Sequence, residues 1–269
     1  MNIKVILSHF EPDLARHEPH HLNQVMALAE AFSADVTALS FATDVGAPAA
    51  GGMQAGSPDP ELALAMRIES AASRRGVTCT VIGRSSFAYG FPDVFADHAK
   101  LSDICVLGHG PNPSTAQRML AASAIFASGR PALLLPHDTG WAGLPQRIFL
   151  AWDASPAAVR AMHNALPFIL RGAETFVVSV TDDKEWRGGQ SGIEVAHLLA
   201  RHGARVSFMP IRKGRLSVLE ALQQAMSDPQ ADLLVMGCIG HSPWHQLVFG
   251  SVTGDLLRGH ASRVVLTSA

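Results

Sequence analysis

The segment 236–255, MGCIGHSPWHQLVFGSVTGD, contains residues that could bind a phosphate group. Gly237 and Gly240 directly follow an apolar run, and nine residues separate Gly240 from Gly250 and Ser251, which begin an apolar helical pattern. Glycines let the backbone approach a ligand closely, and the N–H groups and hydroxyls at the start of a helix can donate hydrogen bonds to an anion. The pattern predicts a di- or triphosphate site. The alternative is that the two glycines only turn the chain and Ser251 only caps a helix.

A carboxylate after another apolar run could recognise a sugar or a base. Asp153 follows the run 147–152, and a carboxylate at the carboxyl end of a strand can accept hydrogen bonds from adenine or ribose. The alternative is that Asp153 caps a helix beginning at Pro156, because an Asp shortly before a Pro is a common signal at the start of a helix.

The spacing G-x2-G-x9-G-[ST], which Gly237, Gly240, Gly250 and Ser251 meet without a gap, resembles the ATP-binding motif of the universal stress protein family. The segment 151–155, AWDAS, is similar to the ending of that family's first strand. The resemblance implies a nucleotide site made of Asp153, Val180, Met236, Gly237, Gly240, Gly250, Ser251, Val252 and Thr253.

The resemblance also implies a ligand and its use. Asp153 would lie beside the adenosine and Val180 would line the adenine pocket, while the motif glycines and hydroxyls would hold the phosphates, with or without Mg²⁺. ATP, or a related adenine nucleotide, would act as the regulatory ligand of a stress-response protein, and its binding would order the loop 238–249 for an unknown protein partner. Hydrolysis would be slow at most, because the sequence offers no dedicated base or arginine finger. Ile239 and Ala154 depart from the His and Gly that are common in the family.

An internal repeat indicates how the chain would position these residues. The segments 102–110 and 231–240 each contain an acidic residue, then an apolar run, then a turn with glycine. Further pairs of similar segments occur in the same order in the two halves of the sequence. Short apolar runs alternate with amphipathic helical patterns, which is typical of an α/β fold with a parallel sheet. We therefore predict two tandem copies of a five-stranded parallel open sheet with helices on both faces, in domains 1–138 and 145–269.

In the second copy, the pattern predicts strands at 147–152, 175–180, 205–211, 232–236 and 263–267 and helices at 156–171, 191–202, 216–227 and 250–259. The first copy is expected to follow suit, with a Gly/Pro-rich loop at 45–60.

The first copy lacks most of the predicted site. Pro111 stands where the second motif glycine would be and so removes an N–H donor, and the segment 121–124 lacks the Gly-Ser step. The first strand ends at 8–11, SHFE, with no Asp after the apolar run. We expect this copy not to bind ATP as the second does. His9 and His109, at the ends of neighbouring strands, leave open a metal site, which would need three or four converging ligands.

The composition excludes several classes of protein. The chain has 269 residues with 48% hydrophobic and 16% charged residues and a net charge of −2, which favours a packed core over disorder and argues against a nucleic-acid binder. Three cysteines without CxxC spacing argue against a disulfide framework or zinc ribbon, and Cys238 is expected to be a small buried residue rather than a redox switch. The sequence contains neither a P-loop nor a G-x-S-x-G motif. No apolar run approaches the length of a membrane span, so a cytoplasmic protein without a membrane partner is the default interpretation.

Two other function classes remain open. In the first, the protein binds no nucleotide: the two copies pack as an intrachain pseudo-dimer through their last strands, and the surface recruits a partner. In the second, the first-copy histidines serve a metal-dependent enzyme. The chain could also form a homodimer.

Overall fold

A computed structural model describes residues 2–11, 18–40, 59–83, 90–136, 140–183, 191–239 and 252–269. The strands are β1 (Val5–Phe10), β2 (Asp35–Ser40), β3 (Cys79–Gly83), β4 (Ile104–Gly108), β5 (Ala132–Leu135), β6 (Arg147–Ala151), β7 (Glu174–Val180), β8 (Arg205–Ile211), β9 (Leu233–Gly237) and β10 (Val264–Ser268). The helices are α1 (Glu18–Phe32), α2 (Pro60–Arg74), α3 (Phe91–Ala99), α4 (Thr115–Phe126), α5 (Pro156–Ile169), α6 (Gly192–Arg201), α7 (Val218–Ala225) and α8 (Val252–Leu257).

The strands form one continuous sheet in the order β3-β2-β1-β4-β5-β10-β9-β6-β7-β8. Within each half, β1 to β5 and β6 to β10, neighbouring strands are parallel. The halves meet at β5 and β10, which pair antiparallel. The predicted α/β fold with parallel strands is confirmed. The two five-stranded sheets, however, are joined edge to edge, so the last strand of each half is not a free edge.

Helices cover both faces of the sheet. The core on one face contains buried side chains of α1, α2, α5 and α6, and the core on the other face contains those of α3, α4, α7 and α8. The central strands therefore have apolar side chains on both sides, which explains their continuous apolar runs. Within the described ranges, no helix combines the length and apolar character that a membrane span would need.

An aspartate before β4 and another before β9 hold the start of the central strand in each half, β1 and β6. One carboxylate oxygen of Asp103 accepts hydrogen bonds from the Lys4 and Val5 N–H groups, at 2.7 Å and 3.0 Å. Asp232 accepts from the N–H groups at positions 146 and 147, at 2.9 Å and 3.0 Å. These bonds satisfy the first amides of β1 and β6 and define corresponding positions in the two halves.

A second contact between the halves lies on the face covered by α1 and α5. The rings of Phe32 and Phe168 meet edge to face with centroids 5.3 Å apart, and the Arg171 guanidinium lies 4.1 Å from the Phe32 ring centroid. Arg171 also donates a 2.6 Å hydrogen bond to the Ala31 carbonyl. Aromatic and cation–π contacts of this kind stabilise an interface beyond its buried area.

Candidate functional site

The strand order changes direction between β6 and β9, where ligands of open α/β sheets bind. Leu150 of β6 lies opposite Val235 of β9, so the two strands end at the same level. Asp153 follows β6, and Gly237 is the last residue of β9. The edge of the sheet formed by the carboxyl ends of β6 and β9 is therefore the candidate ligand site.

Asp153 lies at this edge on a tight turn. Its Oδ1 accepts a 3.0 Å hydrogen bond from the Ser155 N–H, and Ala154 between them has a left-handed φ of 59°. Ser155, not Asp153, caps α5, because the Ser155 Oγ accepts from the Ala158 N–H at 3.1 Å. The alternative role of Asp153 as the helix cap is thus wrong, and its carboxylate stays exposed beside the switch point.

Gly237 has a packing role that the motif does not reveal. A Cβ at this position would lie 2.5 Å from Ala157 C and 2.5 Å from Ala158 N. Only glycine lets α5 approach β9 this closely. The close approach is between helix and strand, so it accounts for this glycine without a ligand.

Cys238 and Thr253 meet just beyond β9. Cys238 is buried, and the Thr267 Oγ1 donates a 2.9 Å hydrogen bond to its Sγ. Burial raises the pKa of the Cys238 thiol, and hydrogen bonds from the Thr267 and Thr253 hydroxyls offset part of that rise. The prediction that Cys238 is a small buried residue is confirmed. Thr253, predicted to contact phosphate, is buried with its hydroxyl against the protein.

Val180 lies one strand further along the edge. It is half-buried at the end of β7, opposite Ile211 of β8. The buried Ser179 hydroxyl donates a 2.9 Å hydrogen bond to the Trp152 carbonyl and so ties the ends of β7 and β6 together. This bond keeps Val180 and Asp153 on one connected edge of the sheet.

Asp182 also shapes this edge, and the sequence analysis missed it. It accepts hydrogen bonds from the Lys213 and Gly214 N–H groups at 2.8 Å and 3.0 Å, which hold its pKa below the usual range. The bonds fix the turn after β8 against the end of β7. An Asp two residues after a strand was the available signal, but its partners lie on another loop.

The structure brings Asp153, Gly237 and Thr253 to one end of the sheet, with Met236 buried beneath them in β9 and Val252 half-buried at the start of α8. Three predicted site residues, Gly240, Gly250 and Ser251, lie outside the described residues, as do positions 45–58 of the predicted loop.

Comparison with known structures shows the same architecture. A universal stress protein from Archaeoglobus fulgidus DSM 4304 matches with a TM-score of 0.70 and 15% identity, over 97% of this chain and 97% of its own. A functionally unknown protein from Pseudomonas aeruginosa PAO1 matches with a TM-score of 0.64 and 12% identity, over 99% and 92%. A candidate universal stress protein from Pseudomonas aeruginosa UCBPP-PA14 matches with a TM-score of 0.61 and 14% identity, over 99% and 93%.

The chain has the universal stress protein fold. The likeness extends over both halves, because each of these structures covers nearly the whole chain. No protein-family model and no curated protein matches the sequence. At these identities the likeness concerns the fold alone.

Within this fold, the first half has a carboxylate at the position that corresponds to Asp153. Ile6 pairs with Ile104 as Ile148 pairs with Leu233, so Glu11 corresponds to Asp153. The sequence analysis noted only that no Asp follows the apolar run of the first strand. Glu11 is half-buried.

The first-half histidines do not gather into a metal site among the residues that are described. His109 is buried, and its Nε2 lies 2.7 Å from the Leu256 carbonyl oxygen in the other half. His21 makes a 3.0 Å hydrogen bond with the Ser8 hydroxyl. The described ranges contain no group of three or more His, Cys, Asp or Glu side chains that could hold a metal ion.

Proposed function

We propose that the protein is a member of the universal stress protein family that binds ATP, or a related adenine nucleotide, as a regulatory ligand in a stress response. The site lies in the C-terminal domain, 145–269, and the domain 1–138 serves as its non-binding partner. The observation that carries the proposal is the exposed Asp153 carboxylate at the switch point, level with the end of β9 and the start of the glycine motif.

The roles of the site residues follow from their surroundings. Adenine would lie over the ends of β6 and β7, where Asp153 can accept hydrogen bonds from the base or ribose and Val180 offers an apolar surface. Gly237, Met236 and Thr253 are committed to packing, so they would form the floor of the site rather than touch the ligand. The phosphates would then bind at Gly240, Gly250 and Ser251.

Mg²⁺ would arrive with the phosphates. Magnesium is usually held by one or two protein ligands together with phosphate oxygens and water. The described residues fit that mode better than an all-protein cage, because no group of three potential ligands lies among them. A cytoplasmic location remains a prediction.

The first experiment measures the nucleotide content of the purified protein. The protein is denatured and the supernatant is analysed by chromatography, for the wild type and for Gly250→Ala/Ser251→Ala. A matched control is Gly140→Ala/Ser227→Ala, since a Cβ at Gly140 meets nothing within 4 Å and Ser227 is exposed. We expect about one adenine nucleotide per chain in the wild type and the control, and none in the motif variant.

The second candidate function is the nucleotide-free scaffold. The antiparallel pairing of β5 and β10 favours it, because that pairing joins the halves without any ligand. The scaffold interpretation takes over when no nucleotide co-purifies and added ATP leaves the melting temperature unchanged.

A further inference from the structure

The loop after β4 contacts α8 of the other half through a buried histidine. His109 is 2% exposed, and its Nε2 lies 2.7 Å from the Leu256 carbonyl oxygen. A carbonyl only accepts, so Nε2 carries the proton and donates. The Leu256 carbonyl belongs to the last turn of α8 and also accepts a 3.0 Å hydrogen bond from the Gly259 N–H. His109 thus satisfies a carbonyl at the helix C-terminus, where a His donor is also favoured by the helix dipole.

The turn that follows α8 packs against the loop after β4. Gly259 has a φ of 79°, and a Cβ there would lie against the Gly110 carbonyl oxygen and 2.7 Å from Pro113 Cδ. The contact therefore requires glycine for both its backbone conformation and its space. We call the contact of His109, Gly110 and Pro113 with Leu256 and Gly259 the clasp.

The other end of α8 lies at the candidate nucleotide site. Thr253, in its first turn, is buried, and its hydroxyl lies close enough to Cys238, which follows β9, to lower the pKa of the Cys238 thiol. Thr253 and Leu256 are three residues apart and so lie on the same side of the helix. A six-residue helix is about 9 Å long and is not stable on its own. Tertiary contacts, which include those at its two ends and the packing of Leu256 in the core, must therefore set its position.

We propose that His109 is a positioning residue for the nucleotide site: from the first half, it holds the last turn of α8 and thereby sets the place of Thr253, which would form part of the floor on which the nucleotide rests in the second half. This inference rests on the proposed function. In the first half, the backbone of the corresponding loop is in contact with Gly259. By thermodynamic linkage, a nucleotide bound in the second half strengthens the His109 hydrogen bond in return.

The test compares two replacements of His109 by isothermal titration with ATP and Mg²⁺. In His109→Gln, the amide nitrogen can take the place of Nε2 and donate to Leu256, whereas His109→Leu has no donor. We expect His109→Leu to weaken ATP binding by about five- to tenfold and His109→Gln to restore most of the affinity. The control is Arg171→Met, which removes a contact between the halves on the opposite face, away from α8. We expect it to leave the affinity unchanged.

A second readout follows the His109 Nε2–H proton by NMR. ATP should slow its exchange with water in the wild type by more than it slows the exchange of buried amide protons in β1, because ATP binding to the folded protein by itself slows all exchange that requires global unfolding. Equal ATP affinity in wild type and His109→Leu would overturn the inference and leave the proposed function standing. Equal losses in His109→Leu and Arg171→Met would overturn it as well, because the effect would then be general loosening. A wild type that binds no adenine nucleotide removes the proposed function itself, and this inference with it.

Discussion

The ends of β4 and β9 share one backbone frame and use it differently. The N–H after each strand donates a 2.8 Å hydrogen bond to the last residue of the neighbouring strand, from His109 to Leu135 and from Cys238 to Ser268. Beyond that bond, the His109 side chain reaches into the other half, while Cys238 stays within its own half against Thr267. The two ends therefore differ by side chains rather than by fold: one forms an interface, and the other forms the floor of a candidate site.

The neighbouring strand contributes to this difference. Thr267 lies opposite Met236 in β10, and the corresponding residue of β5 is Leu134, opposite Leu107. Leucine has no hydroxyl, so Leu134 cannot donate to a side chain at position 109 as Thr267 donates to Cys238. A ligand site and a contact between halves can thus arise from the same pair of strands through a few substitutions.

The largest expected effect tests the packing beneath the candidate site. Gly237→Ala places a Cβ 2.5 Å from backbone atoms of Ala157 and Ala158, so α5 must move away from β9. We expect a loss of about 3–4 kcal/mol in the free energy of unfolding, measured by denaturant titration. Gly140→Ala, where the added Cβ meets nothing within 4 Å, serves as the control. A loss under about 1 kcal/mol would mean that Gly237 is not needed for packing and would favour a role in ligand binding alone.

The next prediction concerns the clasp. Gly259→Ala both strains a positive φ and places a Cβ against the loop of the first half, whereas Gly203→Ala strains a similar φ of 85° with nothing within 4 Å. We expect unfolding free energies lower by about 2–3 kcal/mol for Gly259→Ala and by about 1 kcal/mol for Gly203→Ala. The difference between the two variants isolates the contact between the halves, and equal losses would show that the contact contributes nothing.

A smaller effect on stability is expected when Thr267 is replaced by a residue without a hydroxyl, as Leu134 is at the corresponding position of the first half. Thr267→Val removes the hydroxyl that donates to Cys238 at nearly the same volume. We expect a loss of about 1 kcal/mol in chemical denaturation and a further rise in the pKa of the Cys238 thiol, because that hydrogen bond lowers it. Thr115→Val, at an exposed position, is the matched control. An unchanged rate of thiol modification in the native state would contradict the assigned bond.

Sequence reasoning could find the elements and the switch point, because both depend on local patterns. Apolar runs predicted β6 to β10 to within a residue or two, and the residue after β6 identified Asp153 as a candidate. The predicted helix at 250–259 is described over Val252–Leu257.

Contacts between the halves leave no such local trace. His109 and Leu256 are 147 residues apart, and neither belongs to a recognisable spacing. Gly237 and Gly259 look alike in the sequence, yet one accommodates α5 and the other accommodates the first-half loop. The correspondence of Glu11 with Asp153 depends on strand register, which the apolar pattern alone does not give.

The smallest effect is a pH dependence that arises from His109 in the first half. Burial lowers the pKa of His109, and its hydrogen bond to Leu256 offsets part of that shift. In the unfolded chain, the imidazole takes up a proton near pH 6.5, whereas in the folded chain it stays neutral to lower pH. Stability from this group is therefore complete above pH 6.5 and is lost as the pH falls toward the folded pKa. We expect the wild type to lose stability relative to His109→Gln as the pH falls from 7 to 5, measured by urea titration. Cys238, at the corresponding position, does not titrate in this range, so the unfolding free energy of Cys238→Ser should change with pH as that of the wild type does. If the unfolding free energy of His109→Gln also changes with pH as that of the wild type does, the His109 imidazole lies in a solvated environment instead of the clasp.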